Sequence, residues 1–215
     1  MDVSGSYKEA HRLDFHNALI TSVEMPACDA GSKDPGFMTV SITPEITRFA
    51  TVDITGHLGV YTSSVPKAWH IHDFKLTIDG LERDCAHVKA IGPLRLGQRI
   101  TKEPVGNMRI ESKEPTATEF SDLIVTLAGN SATGFQDWMQ DFVVKGMSGV
   151  ANEKNGLVEF FAPSLTKAYF EVKLIGLGLY KMGALKAVNP KTPLPVDFTM
   201  YCNEMTFNAG AASVM

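Results

Sequence analysis

Short apolar runs broken by Gly, Pro and Asp recur along most of the 215-residue chain, which is the rhythm of antiparallel strands and turns. One segment departs from it. In ATGFQDWMQDFV, residues 132–143, Phe135, Trp138, Met139 and Phe142 stand at i, i+3, i+4 and i+7, so they share one face of a helix. Ser131 or Thr133 is the expected N-cap, and Lys145 followed by Gly146 gives the cation-then-glycine ending of a helix. A single amphipathic helix in a strand-rich chain predicts a cover laid over an open face of a sheet, with those four side chains packed beneath it. The expected class is therefore mainly β, an antiparallel sandwich or barrel with one amphipathic α-helix.

Two stretches, PGFMTVSITPEITRFATVDITG (35–56) and NGLVEFFAPSLTKAYFEVKLIG (155–176), each run glycine, apolar strand, proline, second strand, glycine. They predict two hairpins turning near Pro44 and Pro163, whether they are duplicates or merely alike. FKLTI, then Asp79-Gly80, then LERDCAHVKAI predicts a third. The stretch MPACDAGSKDPG and residues 100–118 read as long polar loops free to project. GLGLYKMG (176–183) lacks the glycine spacing of a phosphate-binding turn and predicts a bend at a sheet corner.

Candidate chemistry is sparse. In WHIHDFKL (69–76), His70 and His72 would share one face of an extended segment and Asp73 would point to the other. Two imidazoles can begin a metal site, and a hydrolase using them with a distant carboxylate is the enzyme reading. No further ligand cluster accompanies them, so they read as edge or subunit-contact residues. Asp137 with Asp141 and Glu82 with Asp84 read as solvated faces. There is no GxSxG, HExxH or phosphate-loop motif. No catalytic residue, metal or cofactor is expected.

Composition narrows the partners. A formal charge of −4 and pI near 5.9 give no basic excess for capturing nucleic acid or an anionic membrane. Cys28, Cys85 and Cys202 lie far apart with no CxxC pair, as expected of reduced, buried thiols. Even VKLIGLGLYKMGALKAV is too interrupted by lysines and glycines to span a bilayer, and MDVSGSYKEAHRLDF lacks the order of a secretory signal. The chain is expected to be made and assembled in the cytoplasm, without a membrane partner.

With these elements in place, FKLTIDGLERDCAHVKAI resembles the opening strand pair of bacteriophage tail-tube proteins. The order continues with DLIVTL (122–127), the tryptophan-bearing GFQDWMQDFVVKG, the pair NGLVEFFAP and AYFEVKLIGLGLYKMGAL, and the closing VDFTMYCNEMTF (196–207). The resemblance covers residues 65–208, about two thirds of the chain. It implies a tail-tube-type β-sandwich domain over 65–208, preceded by an N-terminal extension with a hairpin (1–64) and followed by a short tail (209–215).

The resemblance further implies a structural protein of a virion tail or of a contractile injection system. Such proteins form hexameric rings stacked into a hollow tube, with sheath and baseplate proteins around it and DNA or protein cargo passing through. Lys75, Thr77, His87, Lys89, Glu159, Glu171 and Lys173, alternating polar positions of the strands, become the expected lumen lining. Met25 and Phe37 become the expected inter-ring contacts, and residues 1–33 are expected to serve stacking without being needed by the folded core. The N-terminal extension and the missing tryptophan-proline turn after GLGLYKMG also fit a tube-end or baseplate ring. A monomeric β-sandwich binding module presenting Trp69, Trp138 or Tyr61 is the remaining alternative.

Overall fold

A computed structural model describes residues 9–53, 69–104, 106, 111–161, 168–184 and 193–209. The described chain is mostly antiparallel strand, with one helix longer than a single turn. It divides into two compact units. One comprises residues 1–22, 40–66 and 98–118, and the other 23–39, 67–97 and 119–215. This cuts across the expected boundary between residues 64 and 65, because strands distant in sequence pair within each unit.

The first unit is built on a four-stranded sheet in the order β3-β1-β6-β7, from β1 (Glu9–Met25), β3 (Thr39–Asp53), β6 (Leu94–Pro104) and β7 (Glu111–Phe120). Residues 35–56 were expected to form a hairpin, yet β3 runs straight through Pro44. The sheet order explains this: β3 is an edge, where the missing proline N–H costs no ladder bond. Pro115 lies likewise in β7, the other edge. Asn17 Nδ2 donates to Glu45 Oε2 at 2.8 Å and Thr21 Oγ1 to the Ser41 carbonyl at 3.3 Å, so β1 and β3 run antiparallel.

Residues 100–118, expected as a projecting loop, contribute the end of β6 and most of β7 instead. Their alternation is masked in the sequence by charged side chains on both faces. The sheet's edges are tied together: the Lys113 backbone N–H donates to Glu45 Oε1 at 3.1 Å, and its ammonium reaches the Pro44 carbonyl. Asn17 and that backbone N–H hold the Glu45 carboxyl below its usual range.

The second unit carries a seven-stranded antiparallel sheet in the order β2-β5-β8-β11-β10-β9-β4. Its strands are β2 (Cys28–Asp29), β4 (Phe74–Ile78), β5 (Val88–Ile91), β8 (Leu123–Ala128), β9 (Lys154–Phe161), β10 (Ala168–Ala184) and β11 (Pro195–Ala209). The hairpin expected over 155–176 is present as β9 and β10, with Val158 opposite Val172. The hairpin expected from FKLTI through LERDCAHVKAI is not, since β4 pairs with β9 and β5 with β8. Between them Leu81 and Cys85, four residues apart and both buried, bracket one helical turn, α1 (Glu82–Cys85).

The sheet's edges are joined. β2 is followed by residues that pair with the segment entering β4: the Asp29 N–H donates to the Ile71 carbonyl at 3.2 Å, Ile71 to Asp34 at 3.1 Å, and Gly36 to Trp69 at 2.8 Å. MPACDAGSKDPG, expected as a free loop, is thus in part the sheet's closing seam. The core lies inside the curl, where Ile78, Leu94, Leu123, Val125, Val158, Phe160, Leu174 and Phe198 are fully buried.

Helix α2 (Thr133–Met139), extended by a π-helical turn over Gln140–Val144, closes this core. Phe135, Trp138 and Phe142 are buried and Met139 packs against them partly buried. The Phe135 ring lies 5.0 Å from Phe198, and Phe142 stands edge-on to Trp138 at 5.9 Å. The cap differs from expectation. Neither Ser131 nor Thr133 supplies one; Asp84 of α1 accepts from the N–H groups of Gly134 at 2.6 Å and Phe135 at 3.4 Å. A carboxylate at a helix N-terminus meets unpaired donors and the positive dipole end, so Asp84 is no idle surface acid. Asp84→Ala is expected to cost about 1 kcal/mol in urea denaturation.

Candidate assembly surfaces

Two glycines, Gly178 in β10 and Gly36 in the seam, leave room for aromatic rings to lie against the backbone. A Cβ built on Gly178 would fall 2.0 Å from the Tyr201 ring, its partner across β10 and β11. One on Gly36 would fall 1.7 Å from Trp69. GLGLYKMG lies within β10 and stays paired to β11, with a bulge between Leu179 and Lys181. Gly176, at φ 66°, sits where the pairing of β9 to β10 slips by a residue. Tyr201 donates to Glu153 Oε1 at 2.8 Å, and burial together with that bond pushes its phenol up to about 12.

The alternation of β4, β9 and β10 puts Leu76, Ile78, Val158, Phe160, Val172 and Leu174 inward. Lys75, Thr77, Glu159, Glu171 and Lys173 are then turned to the opposite face of the sheet. Register gathers these five: Lys75 lies opposite Glu159 and Glu159 opposite Glu171, while Thr77 and Lys173 flank Leu157. Lys75 Nζ is 3.3 Å from Glu159 Oε2. Four of them, Lys75, Thr77, Glu159 and Lys173, border a shallow depression of about 490 Å³ together with Asp79, Asn155 and Ile175. His87 and Lys89 are not in this group, since His87 precedes β5 and Lys89 lies in it, beyond β8 and β11 in the sheet order.

A second depression, of about 450 Å³, opens beside α2. Leu81, Trp138, Phe142 and Met147 form its floor, and Asp137, Asp141, Glu153 and Lys154 its rim. The Lys154 ammonium stands 5.5 Å over the Trp138 ring and donates to the Asp79 carbonyl at 3.0 Å. Asp141 is engaged by Lys145 at 2.6 Å, and Glu153 by Tyr201 and Asn203. Past the helix the surface stays apolar, with Val144 66% and Val150 81% exposed.

The histidine pair is a feature of the seam. His70 bridges to Pro35, and the chain turns at once, so Asp73 does not point away from the two rings as expected. It is buried beneath them, with His70 Nδ1 at 3.6 Å and His72 Nε2 at 3.3 Å from its carboxylate. Both imidazoles thus serve a buried acid. Among the described residues no group of three or more His, Cys, Asp or Glu is placed to hold a metal ion. Replacing His70 and His72 together by Gln, which can still donate to Asp73, is expected to leave metal content at background and cost about 1 kcal/mol. Loss of a stoichiometric metal on that substitution would contradict this account.

Other expected positions resolve individually. Met25 is 1% exposed and belongs to its own chain's core, so it offers no surface to a neighbouring ring, whereas Phe37 is 72% exposed. Trp69 is partly buried edge-on to Phe160 and Trp138 is buried, so neither offers the open platform of a carbohydrate-binding module; Tyr61 lies outside the described residues. Cys28 and Cys85 are free, and burial pushes their thiols up to about 12 and about 11. They remain protonated and poorly nucleophilic. No described helix is long and apolar enough to cross a membrane.

The surface that sequence reasoning missed is the four-stranded sheet. Among the described residues, none of the buried core hydrophobics lies in residues 1–22, 40–66 or 98–118, while Leu13, Phe15, Ile20, Val40, Ile42 and Phe49 are exposed there. Those six side chains lie on β1 and β3, and only the structure shows that their own chain leaves them uncovered.

No protein-family model matches the chain, and no curated protein matches it. Several solved structures do. A chain of the anti-feeding prophage baseplate aligns over 66% of this chain and 93% of its own at 6% identity, with a TM-score of 0.46. A chain of the sheath–tube complex of an extracellular contractile injection system, PVC, aligns over 69% and 99% at 12% identity and a TM-score of 0.43. Hcp1 from Flavobacterium johnsoniae aligns over 64% and 95% at 18% identity and a TM-score of 0.38.

Proposed function

We propose that this chain is a structural subunit that assembles with copies of itself into hexameric rings, stacked as the wall of a hollow tail or injection tube. The observation that carries the reading is the four-stranded sheet. Its strands reach 17 residues, yet the described chain buries no apolar core beneath it. A sheet in water needs a second layer to cover its apolar residues, and copies of the same chain supply one in a closed ring. The order of elements from FKLTI to VDFTMYCNEMTF, which resembles that of tail-tube proteins, supports the same reading.

In such a ring the five polar side chains gathered on β4, β9 and β10 form a mixed-charge lining of two lysines, two glutamates and a threonine, which neither holds nor repels a passing polyanion strongly. DNA or protein is the cargo such a wall suits, and a sheath and baseplate are the partners outside it. The role is mechanical rather than catalytic. A tube-end or baseplate ring of the same machine uses the same surfaces and is the second reading. Sedimentation equilibrium decides between ring and module: six chains of 23.4 kDa are expected to travel together. A chain that stays at 23.4 kDa at high concentration would contradict the proposal.

A further inference from the structure

The two edges of the four-stranded sheet occupy each other. Backbone groups of alternate residues along a strand point to the same side, so Lys113 and Pro115 address one side of β7. That side is the open edge, because the Lys113 N–H donates to Glu45 Oε1 of β3 at 3.1 Å rather than to β6. Pro115 has no N–H to offer there. On β3, Pro44 also lacks one, and its carbonyl accepts from the Lys113 ammonium. The other oxygen of Glu45 accepts from Asn17 Nδ2 of β1 at 2.8 Å, which fixes the carboxylate in place. We propose that Glu45 and Lys113 form an intrachain clasp that keeps free chains from joining at these edges, and that its opening precedes assembly.

Three features point to a clasp rather than a static brace. Unpaired strand edges are templates for a neighbouring chain, and edge prolines and edge charges are the devices that blunt them. Both devices meet here, as Pro44 with Glu45 on one strand and Lys113 with Pro115 on the other. Among the described residues no buried core hydrophobic belongs to this part of the chain, so core packing does not dictate the contact. The bonds join half-buried groups for which water competes, so opening them costs little. The inference rests on the self-assembly reading, not on six-fold closure, and names the contact a chain gives up before it joins another.

The test compares the full chain with Glu45→Ala, which removes the acceptor, and with Lys113→Met, which removes only the ammonium. Amide hydrogen exchange in dilute protein reports the clasp, and sedimentation velocity across a concentration series reports association. Glu45→Ala is expected to speed exchange at the Lys113 amide and to lower the concentration at which chains associate roughly tenfold, with Lys113→Met lowering it less. Unchanged exchange at that amide would overturn the clasp. Faster exchange with association unmoved or weakened would overturn its gating role and leave the tube reading intact. Chains that associate neither with nor without the clasp would overturn both. If circular dichroism shows Glu45→Ala unfolded, Lys113→Met decides alone, and an unmoved association concentration overturns the proposal.

Discussion

A chain lacking residues 1–33 is expected to lose its cooperative fold, where the sequence had suggested a dispensable extension. β1 stands between β3 and β6, so its removal leaves β3 without a neighbour and opens one side of β6. Met25 and Cys28, each 1% exposed, leave the core of the second unit, and β2 with its seam to Ile71 goes with them. Burying one Met side chain is worth roughly 2 kcal/mol by area, and lost strand pairing adds to this. Against a total stability of about 5–15 kcal/mol, the sum leaves little margin. Circular dichroism during urea titration reads it, with no sharp transition expected. A melt with the full chain's midpoint would show that the extension is independent of the core.

The second large effect is at Trp138. Trp138→Ala is expected to destabilise the protein by ~3 kcal/mol or more, by opening a cavity where α2 closes the sheet and by removing the surface on which Phe142 and Lys154 rest. The measurement is the urea midpoint with an unchanged slope. A loss below about 1 kcal/mol would mean that the helix is not the lid of this core. Phe135, whose ring meets Phe198 on β11, should behave in the same way, while Met139, only partly buried, should cost less.

The helix was legible because a four-residue apolar stripe has only one geometry that buries it. β9 with β10 was legible for the complementary reason: both strands alternate cleanly and belong to one sheet face. Most of the failures share one cause, which is pairing partners distant in sequence. Pro44 looks like a turn until β3 is known to be an edge strand, and Gly178 looks like a bend until Tyr201 is known to lie across from it.

Asp84 looked solvated because its partners, the N–H groups of Gly134 and Phe135, lie some fifty residues on. Asp73 was misread for a local reason, since a turn after His70 brings its carboxylate back under both rings. The polar candidates on β4, β9 and β10 could be gathered from alternation alone; His87 and Lys89 could not be separated from them without the strand order.

Self-assembly into a ring is the central claim, and electron microscopy of the purified full chain tests it most directly. The account predicts six-fold rings with an open centre, singly or stacked into tubes, in class averages of negatively stained particles. Isolated particles of single-chain size, at concentrations well above those needed for imaging, would contradict it.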